Sequence, residues 1–142
     1  MVREITVSWQ EALAGPASSV REGPAPEKWS ALEYGCHVRD VFRRFDERLH
    51  LMLREVDPLF PNWDQDVTAL DENYTGQDPA VVSDELGAAG ARIADSFAGV
   101  AGDEWHRTGT RSDGARFTVA TFARYFMHDP IHHLYDVTGE RR

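Results

Sequence analysis

The chain has 142 residues, of which 42% are hydrophobic and 27% are charged, and its formal net charge is -9. This composition is typical of a globular protein, and the length predicts a single domain spanning residues 1–142. The acidic balance excludes a nucleic-acid partner, because neutralising phosphates requires clustered Lys and Arg. No apolar stretch approaches the roughly 20 residues that span a bilayer. Since no basic segment followed by an apolar one opens the chain, the sequence predicts a cytoplasmic protein.

The first two predicted helices differ in how clearly their ends are marked. The first covers residues 4–20 and is weakened by Gly15-Pro16, because proline disrupts a helix interior. The second covers residues 31–56. Its start is well defined, since Ser30 and Glu33 have the spacing of a capping box, in which each side chain bonds the other residue's backbone N–H.

Two further helices are predicted in the second half of the chain. Apolar residues recur at helical spacing over residues 79–100 and again over residues 117–137. Residues 58–77 have no sustained periodicity and predict a long loop, and residues 101–116 predict a loop or a short hairpin. The sequence therefore predicts an all-α protein, a four-helix bundle with a long loop between its second and third helices.

Histidines cluster near the end of the fourth predicted helix. Side chains four apart share one helix face, so His128 with His132, or Asp129 with His133, can present two metal ligands together. A count at about 100° per residue places His133 at the edge of the apolar face and Asp129 just beyond it. The same count puts His37 at the margin of the second helix's apolar face. We therefore predict a metal site formed by His37, Asp129 and His133.

An alternative ligand pair depends on Pro130. Proline lacks a backbone donor, so a kink or π-bulge at this residue would change the phase of the helix and bring in His128 and His132 instead. Imidazole and carboxylate ligands favour zinc, with nickel or iron as alternatives. Three protein ligands leave a coordination position for water or a substrate.

One stretch of the second helix, together with the distal histidines, resembles a known family. Residues 29–37 read WSALEYGCH and residues 133–137 read HLYDV, and the chain is similar to the DinB-like family over about residues 29–137. The resemblance implies a four-helix bundle whose divalent metal is held by His37 and an H-x-x-x-H pair. In the mycothiol-dependent maleylpyruvate isomerase branch a glutamate replaces the first histidine of that pair, so that Asp129 with His133 is the analogous pair. If the run is aligned with the family pattern through its leading His128-Asp129 instead, the implied pair is His128 with His132.

The resemblance also implies candidate functions. Because members include transferases and isomerases that use mycothiol or bacillithiol, the first hypothesis is a divalent-metal-dependent S-transferase or isomerase. Its partners are a low-molecular-weight thiol and a small electrophile, and no catalytic residue of the chain is assigned. The alternatives are a non-catalytic metal-binding stress-response module, closed by a ligand such as Glu33 or Asp40, and a metal-dependent hydrolase. Cys36 is the sole cysteine, and we expect it to pack in the core and not to act in catalysis. The sequence does not decide whether the protein forms a homodimer.

Candidate residues for binding the thiol or the substrate follow from these hypotheses. Arg39, Arg44 and Arg124 offer guanidinium groups that bind carboxylates. Trp63 and Tyr74 lie in the long predicted loop, and we expect them to cover the mouth of the metal site.

Overall fold

Four helices of 12 to 24 residues dominate the part of the chain that the computed structural model describes, which is residues 2–15, 20–21 and 29–138. They confirm the predicted four-helix bundle. Among these described residues no helix combines the length and apolar content needed to cross a bilayer. In chain order the elements are α1 (Val2–Leu13), α2 (Ala31–Arg54), α3 (Gln65–Asp71), a 3₁₀ turn (Tyr74–Gly76), α4 (Pro79–Ala98), a second 3₁₀ turn (Gly102–His106), β1 (Thr108–Thr110), β2 (Arg116–Thr118) and α5 (Val119–Thr138).

Helix α2 begins at the predicted capping box. The Ser30 hydroxyl accepts a hydrogen bond from the Glu33 backbone N–H at 3.2 Å, and the Glu33 carboxylate accepts one from the Ser30 N–H at 3.2 Å. Because these bonds fix the helix phase from its first turn, they also fix which residues of α2 face the core. His37 is among them and is only 1% exposed.

Helix α1 is shorter than predicted and packs closely on α4 and α5. It ends at Leu13, and residues 16–19 of the predicted helix lie outside the described part of the chain. A side chain at Gly90 would collide with Thr6, so glycine allows the close approach of α1 to α4. The fully buried Trp9 donates its indole N–H to the Pro130 carbonyl at 3.0 Å, which ties α1 to α5.

The segment predicted as a long loop contains a short helix. Helix α3 forms there because Asp64 caps it, accepting hydrogen bonds from two backbone N–H groups of its first turn. Seven residues are too few for an apolar period to stand out in the sequence. Just before α3, the Trp63 indole donates to the Thr68 hydroxyl at 2.8 Å, which fixes the position of the ring.

The segment between α4 and α5, which the sequence predicted as either a loop or a short hairpin, contains a hairpin. Strands β1 and β2 pair antiparallel, with Gly109 opposite Phe117. A side chain at Gly109 would lie 2.5 Å from the Phe60 ring, so glycine lets the hairpin lie directly on the core. The hairpin turn thereby brings residues 111–113 to the same end of the bundle as Trp63.

Helix α5 continues through Pro130 without interruption. The helical phase predicted from its apolar residues therefore holds on both sides of the proline. Asp129 and His133 lie on the partly buried side, whereas His128 and His132 are exposed.

Candidate metal centre

His37 of α2 meets Asp129 and His133 of α5 at the edge of the core. One oxygen of the Asp129 carboxylate lies 3.0 Å from Nε2 of His37, and the other lies 3.1 Å from Nε2 of His133. The potential ligand atoms of the three residues all lie within 4.8 Å of one another. The structure thus brings together the three residues that the sequence selected as the first choice for a metal site.

The alternative pair occupies a different part of the helix surface. His128 is exposed and belongs to neither group of potential ligands found among the described residues. The His132 side chain is 69% exposed, and its Nε2 lies 3.5 Å from the Asp136 carboxylate. His132, His133 and Asp136 form a second group within 4.8 Å, but this group contains no residue of α2.

The donor set fits a divalent metal ion. Two imidazoles and one carboxylate are ligands that zinc, nickel and iron accept. Metal–ligand bonds of about 2.0–2.2 Å at tetrahedral or octahedral angles place neighbouring ligand atoms about 3.0–3.5 Å apart. The separations of 3.0 and 3.1 Å from Asp129 to the two histidines agree with that spacing.

The electrostatics of the centre keep Asp129 ionised. Burial alone raises the pKa of this carboxyl, but hydrogen bonds from His133 and His37 outweigh burial and hold the pKa well below its ordinary value. Burial lowers the pKa of His133, whereas Asp129 and Asp136 raise it, and the net shift is upward. A negative charge therefore lies between the two imidazoles, as a cation site requires.

Aromatic rings enclose the two histidines. The Trp63 ring stacks on His37 at 5.8 Å with an interplanar angle of 9°, and Trp29 meets the same imidazole edge-on at 5.6 Å. Tyr34 stacks on His133 at 4.6 Å. The second nitrogen of His37, Nδ1, is buried and has no hydrogen-bond partner among the described residues. Such unsatisfied buried groups are uncommon in folded proteins and occur at functional sites.

A cavity of about 300 Å³ lies against the centre. His37 and Asp129 are among its lining residues, and so is Trp63, which the sequence analysis predicted to cover the mouth of the site. Its two described arginines, Arg48 and Arg111, were missed by sequence reasoning. The remaining lining residues are Val41, Phe45, Asn62, Gln65, Ser112, Asp113 and Tyr125.

Two of the residues proposed for ligand binding belong instead to a buried polar network. Tyr74 is 1% exposed and donates its hydroxyl to Asp40, so it does not cover the mouth of the site. Burial, followed by this hydrogen bond, raises the pKa of Tyr74 well above its ordinary value. Arg39 is also buried, and its guanidinium bonds Asp40, Gln77 and Glu85. These partners satisfy both side chains, and neither lines the cavity.

The other two proposed arginines also lie outside the cavity lining. Arg44 is exposed and places its guanidinium 5.8 Å from the Trp63 ring centroid, and Arg124 is exposed on α5. The two acids considered as a fourth metal ligand are engaged elsewhere. Glu33 completes the capping box, and Asp40 holds Arg39.

Asp136 is expected to orient His133 for metal binding. Its carboxylate lies 3.3 Å from Nδ1 of His133, the nitrogen turned away from Asp129. Such a partner fixes the tautomer and ring position of a ligating histidine, so Asp136→Asn should weaken metal affinity about 10–100-fold. Zinc titration by calorimetry measures the effect. Asp95→Asn, which removes an exposed acid on α4, should leave the affinity unchanged, and equal affinities in the two variants would exclude an orienting role.

The arrangement defines an all-α bundle with a histidine–carboxylate–histidine group at its edge. The sequence profile of the DinB superfamily matches residues 2–137, and the chain belongs to that family. No curated protein gave a significant match.

Solved structures share the fold at low sequence identity. YfiT from Bacillus subtilis, described as "a probable metal-dependent hydrolase with an unusual four-helix bundle topology", superposes with a TM-score of 0.86 at 17% identity, covering 97% of this chain and 80% of its own. The mycothiol-dependent maleylpyruvate isomerase superposes with a TM-score of 0.78 at 14% identity, and a histidine-to-alanine mutant of that enzyme superposes with 0.79 at 12%. Each alignment covers 96% of this chain but only 57% of the isomerase, so the chain spans a little over half of that protein's length.

Proposed function

We propose that the chain is a divalent-metal-dependent enzyme that acts on a low-molecular-weight thiol and a small electrophile, as an S-transferase or an isomerase. The observation that carries the proposal is the three-residue donor set, two members of which, His37 and Asp129, line the 300 Å³ cavity. Within the described residues no fourth His, Cys, Asp or Glu joins the set. Three protein ligands leave a coordination position open, which favours an enzyme over a closed metal-binding module.

His37, Asp129 and His133 would hold the metal, for which zinc is the first choice. When bound, a divalent cation lowers the pKa of a thiol at its open position and so supplies a nucleophilic thiolate at neutral pH. In the reaction, the thiol would lose its proton to solvent and its sulfur would form a bond to an electrophilic carbon of the substrate. A transferase would then release the group that this carbon carried, whereas an isomerase would break the new carbon–sulfur bond after rearrangement and regenerate the thiol. The aromatic rings around His37 and His133 support this chemistry by limiting the access of water.

The sulfur would come from a separate thiol molecule. Cys36 directly precedes His37 in sequence, but its side chain is fully buried in the core. Burial raises the pKa of the Cys36 thiol to about 12, so this residue does not supply a thiolate. The isomerase that shares the fold is described as mycothiol-dependent, and a thiol of that kind is the first candidate here.

The charges around the cavity favour thiol chemistry over hydrolysis. Activation of water at a metal centre commonly uses a carboxylate as general base. Apart from Asp129, the only carboxylate among the described lining residues is Asp113, which pairs with Arg111 through two bonds of 2.7 and 2.9 Å. The hydrogen bond from Arg111 lowers the pKa of Asp113 to about 2, which makes it a weak base. A thiol is far more acidic than water and can ionise without such help.

Cobalt provides a direct test, because thiolate bound to Co²⁺ produces an intense charge-transfer absorption. We expect Co²⁺-loaded protein without an affinity tag to develop this absorption at neutral pH when mycothiol, bacillithiol or glutathione is added. Cys36→Ser protein should behave identically, because the sulfur comes from the added thiol.

Three results would contradict the proposal, two from the cobalt titration and one from an assay of hydrolysis. The first is that the protein binds no divalent metal. The second is that it binds Co²⁺ while none of the three thiols changes the spectrum. The third is metal-dependent cleavage of simple esters or amides without a thiol requirement, which would favour the hydrolase.

A further inference from the structure

One cationic side chain in the cavity has no acidic partner among the described residues. Arg48 of α2 is half-buried, and its guanidinium donates a hydrogen bond to the Pro61 carbonyl at 3.3 Å. No carboxylate in the described part of the chain forms an ion pair with it. Buried or half-buried charges are usually paired, so we expect an anion to bind beside Arg48.

Two aromatic rings fix the position of this guanidinium. It lies 5.6 Å from the centroid of Phe45 and 5.3 Å from that of Phe60. Burial, and then the positive charge of Arg111, lower the pKa of Arg48. Because the ring contacts already restrict the side chain, less conformational entropy is lost when it binds an anion.

The other charges of the cavity leave Arg48 as the uncompensated cation. Arg111 is neutralised by Asp113 through two bonds and also donates to the Tyr125 hydroxyl at 2.9 Å. Asp129 belongs to the proposed metal centre, where it lies between His37 and His133. The described lining therefore presents one free positive charge together with two carboxylates.

We propose that Arg48 binds a carboxylate of the substrate, whose reacting end lies at the metal centre. The part of this inference that concerns the metal rests on the proposed function, while the contact with Arg48 does not. The planar guanidinium fork matches a carboxylate. The single free positive charge matches a carboxylate better than a phosphate dianion, because the described lining offers no second unpaired cation to balance a second negative charge at Arg48.

The helix geometry sets a minimum length for the ligand. Arg48 follows His37 by eleven residues, a distance of about 16 Å along the helix axis. The arginine side chain spans part of this distance, since side chains on a helix incline towards its N-terminus. The remaining gap requires a chain of several carbon atoms between the carboxylate and the reacting end.

Linear dicarboxylates of increasing length test the inference, with one carboxylate available to the metal and the other to Arg48. Calorimetry on zinc-loaded protein should show that adipate and pimelate bind more tightly than malonate and more tightly than the neutral diamide of adipate. Arg48→Gln keeps much of the side chain that packs on the rings, and it should weaken dicarboxylate binding roughly 10–100-fold. Arg124→Gln, on the exposed side of α5, serves as the matched control and should leave the affinity unchanged.

The outcomes separate this inference from the proposed function. Failure to bind zinc contradicts the proposed function, and adipate titrated into metal-free wild-type and Arg48→Gln protein then tests Arg48 alone. Equal affinities in those two proteins, metal-free or loaded, would overturn the role of Arg48. Tighter binding of inorganic phosphate than of any dicarboxylate would overturn the assignment to a carboxylate.

Discussion

His37→Ala is expected to abolish stoichiometric binding of a divalent metal while leaving most of the helical circular dichroism signal. His37 is the only residue of the proposed centre that α2 contributes, and the remaining pair on α5 is too small a set to hold the ion tightly. Helix α2 has its own capping box and a long apolar face, so the substitution should not unfold it. Metal content after dialysis, together with a zinc titration of protein without an affinity tag, measures the loss.

The exposed histidine of α5 supplies the control for that experiment. His128→Ala should retain metal binding, whereas Asp129→Ala should weaken it strongly, because Asp129 lies between the two imidazoles. The reverse order of effects would show that α5 presents the histidine pair His128 and His132 in solution. Full metal binding by His37→Ala would refute the proposed centre.

The second large effect is expected on stability. Asp40→Ala should lower the free energy of unfolding by about 2–4 kcal/mol, because the buried Arg39 guanidinium loses one of its two carboxylate partners and keeps only Glu85. Arg39 would lose a bidentate ion pair, and the buried Tyr74 hydroxyl would lose its acceptor. Urea unfolding followed by circular dichroism measures the change.

The same variant separates structural arginines from ligand-binding ones. The folded fraction of Asp40→Ala should bind metal and adipate like the wild type, because Asp40 does not line the cavity. Glu47→Ala is the matched control on α2, and loss of its exposed pairing with Arg44 should cost less than about 1 kcal/mol. Equal stability of the two variants, or a loss of metal affinity in Asp40→Ala alone, would contradict the structural role of the network.

Local rules were sufficient to predict the start of α2 and the pairing within α5. The capping box marks the start of α2 by residue type and spacing alone, and the structure begins the helix there. The helical repeat likewise places Asp129 and His133 on one face, and α5 keeps that phase through Pro130. Both residues could be expected to lie near His37, because each apolar face must be buried against another helix.

Contacts between segments that are distant in the chain could not be predicted as readily from the sequence. Tyr74 and Arg39 have the chemistry of ligand-binding residues, but their burial depends on how the loop folds against α2, and no sequence period encodes that. Arg111 reaches the cavity only because the hairpin packs on Phe60. Arg48 is the exception, since it lies on the same helical face as His37 and could have been found from that spacing.

Anomalous X-ray diffraction from crystals of the zinc-loaded protein tests the central claim most directly. Data collected on both sides of the zinc absorption edge should give one strong peak enclosed by His37, Asp129 and His133. A peak between His128 and His132, or no ordered zinc near His37, would contradict the account.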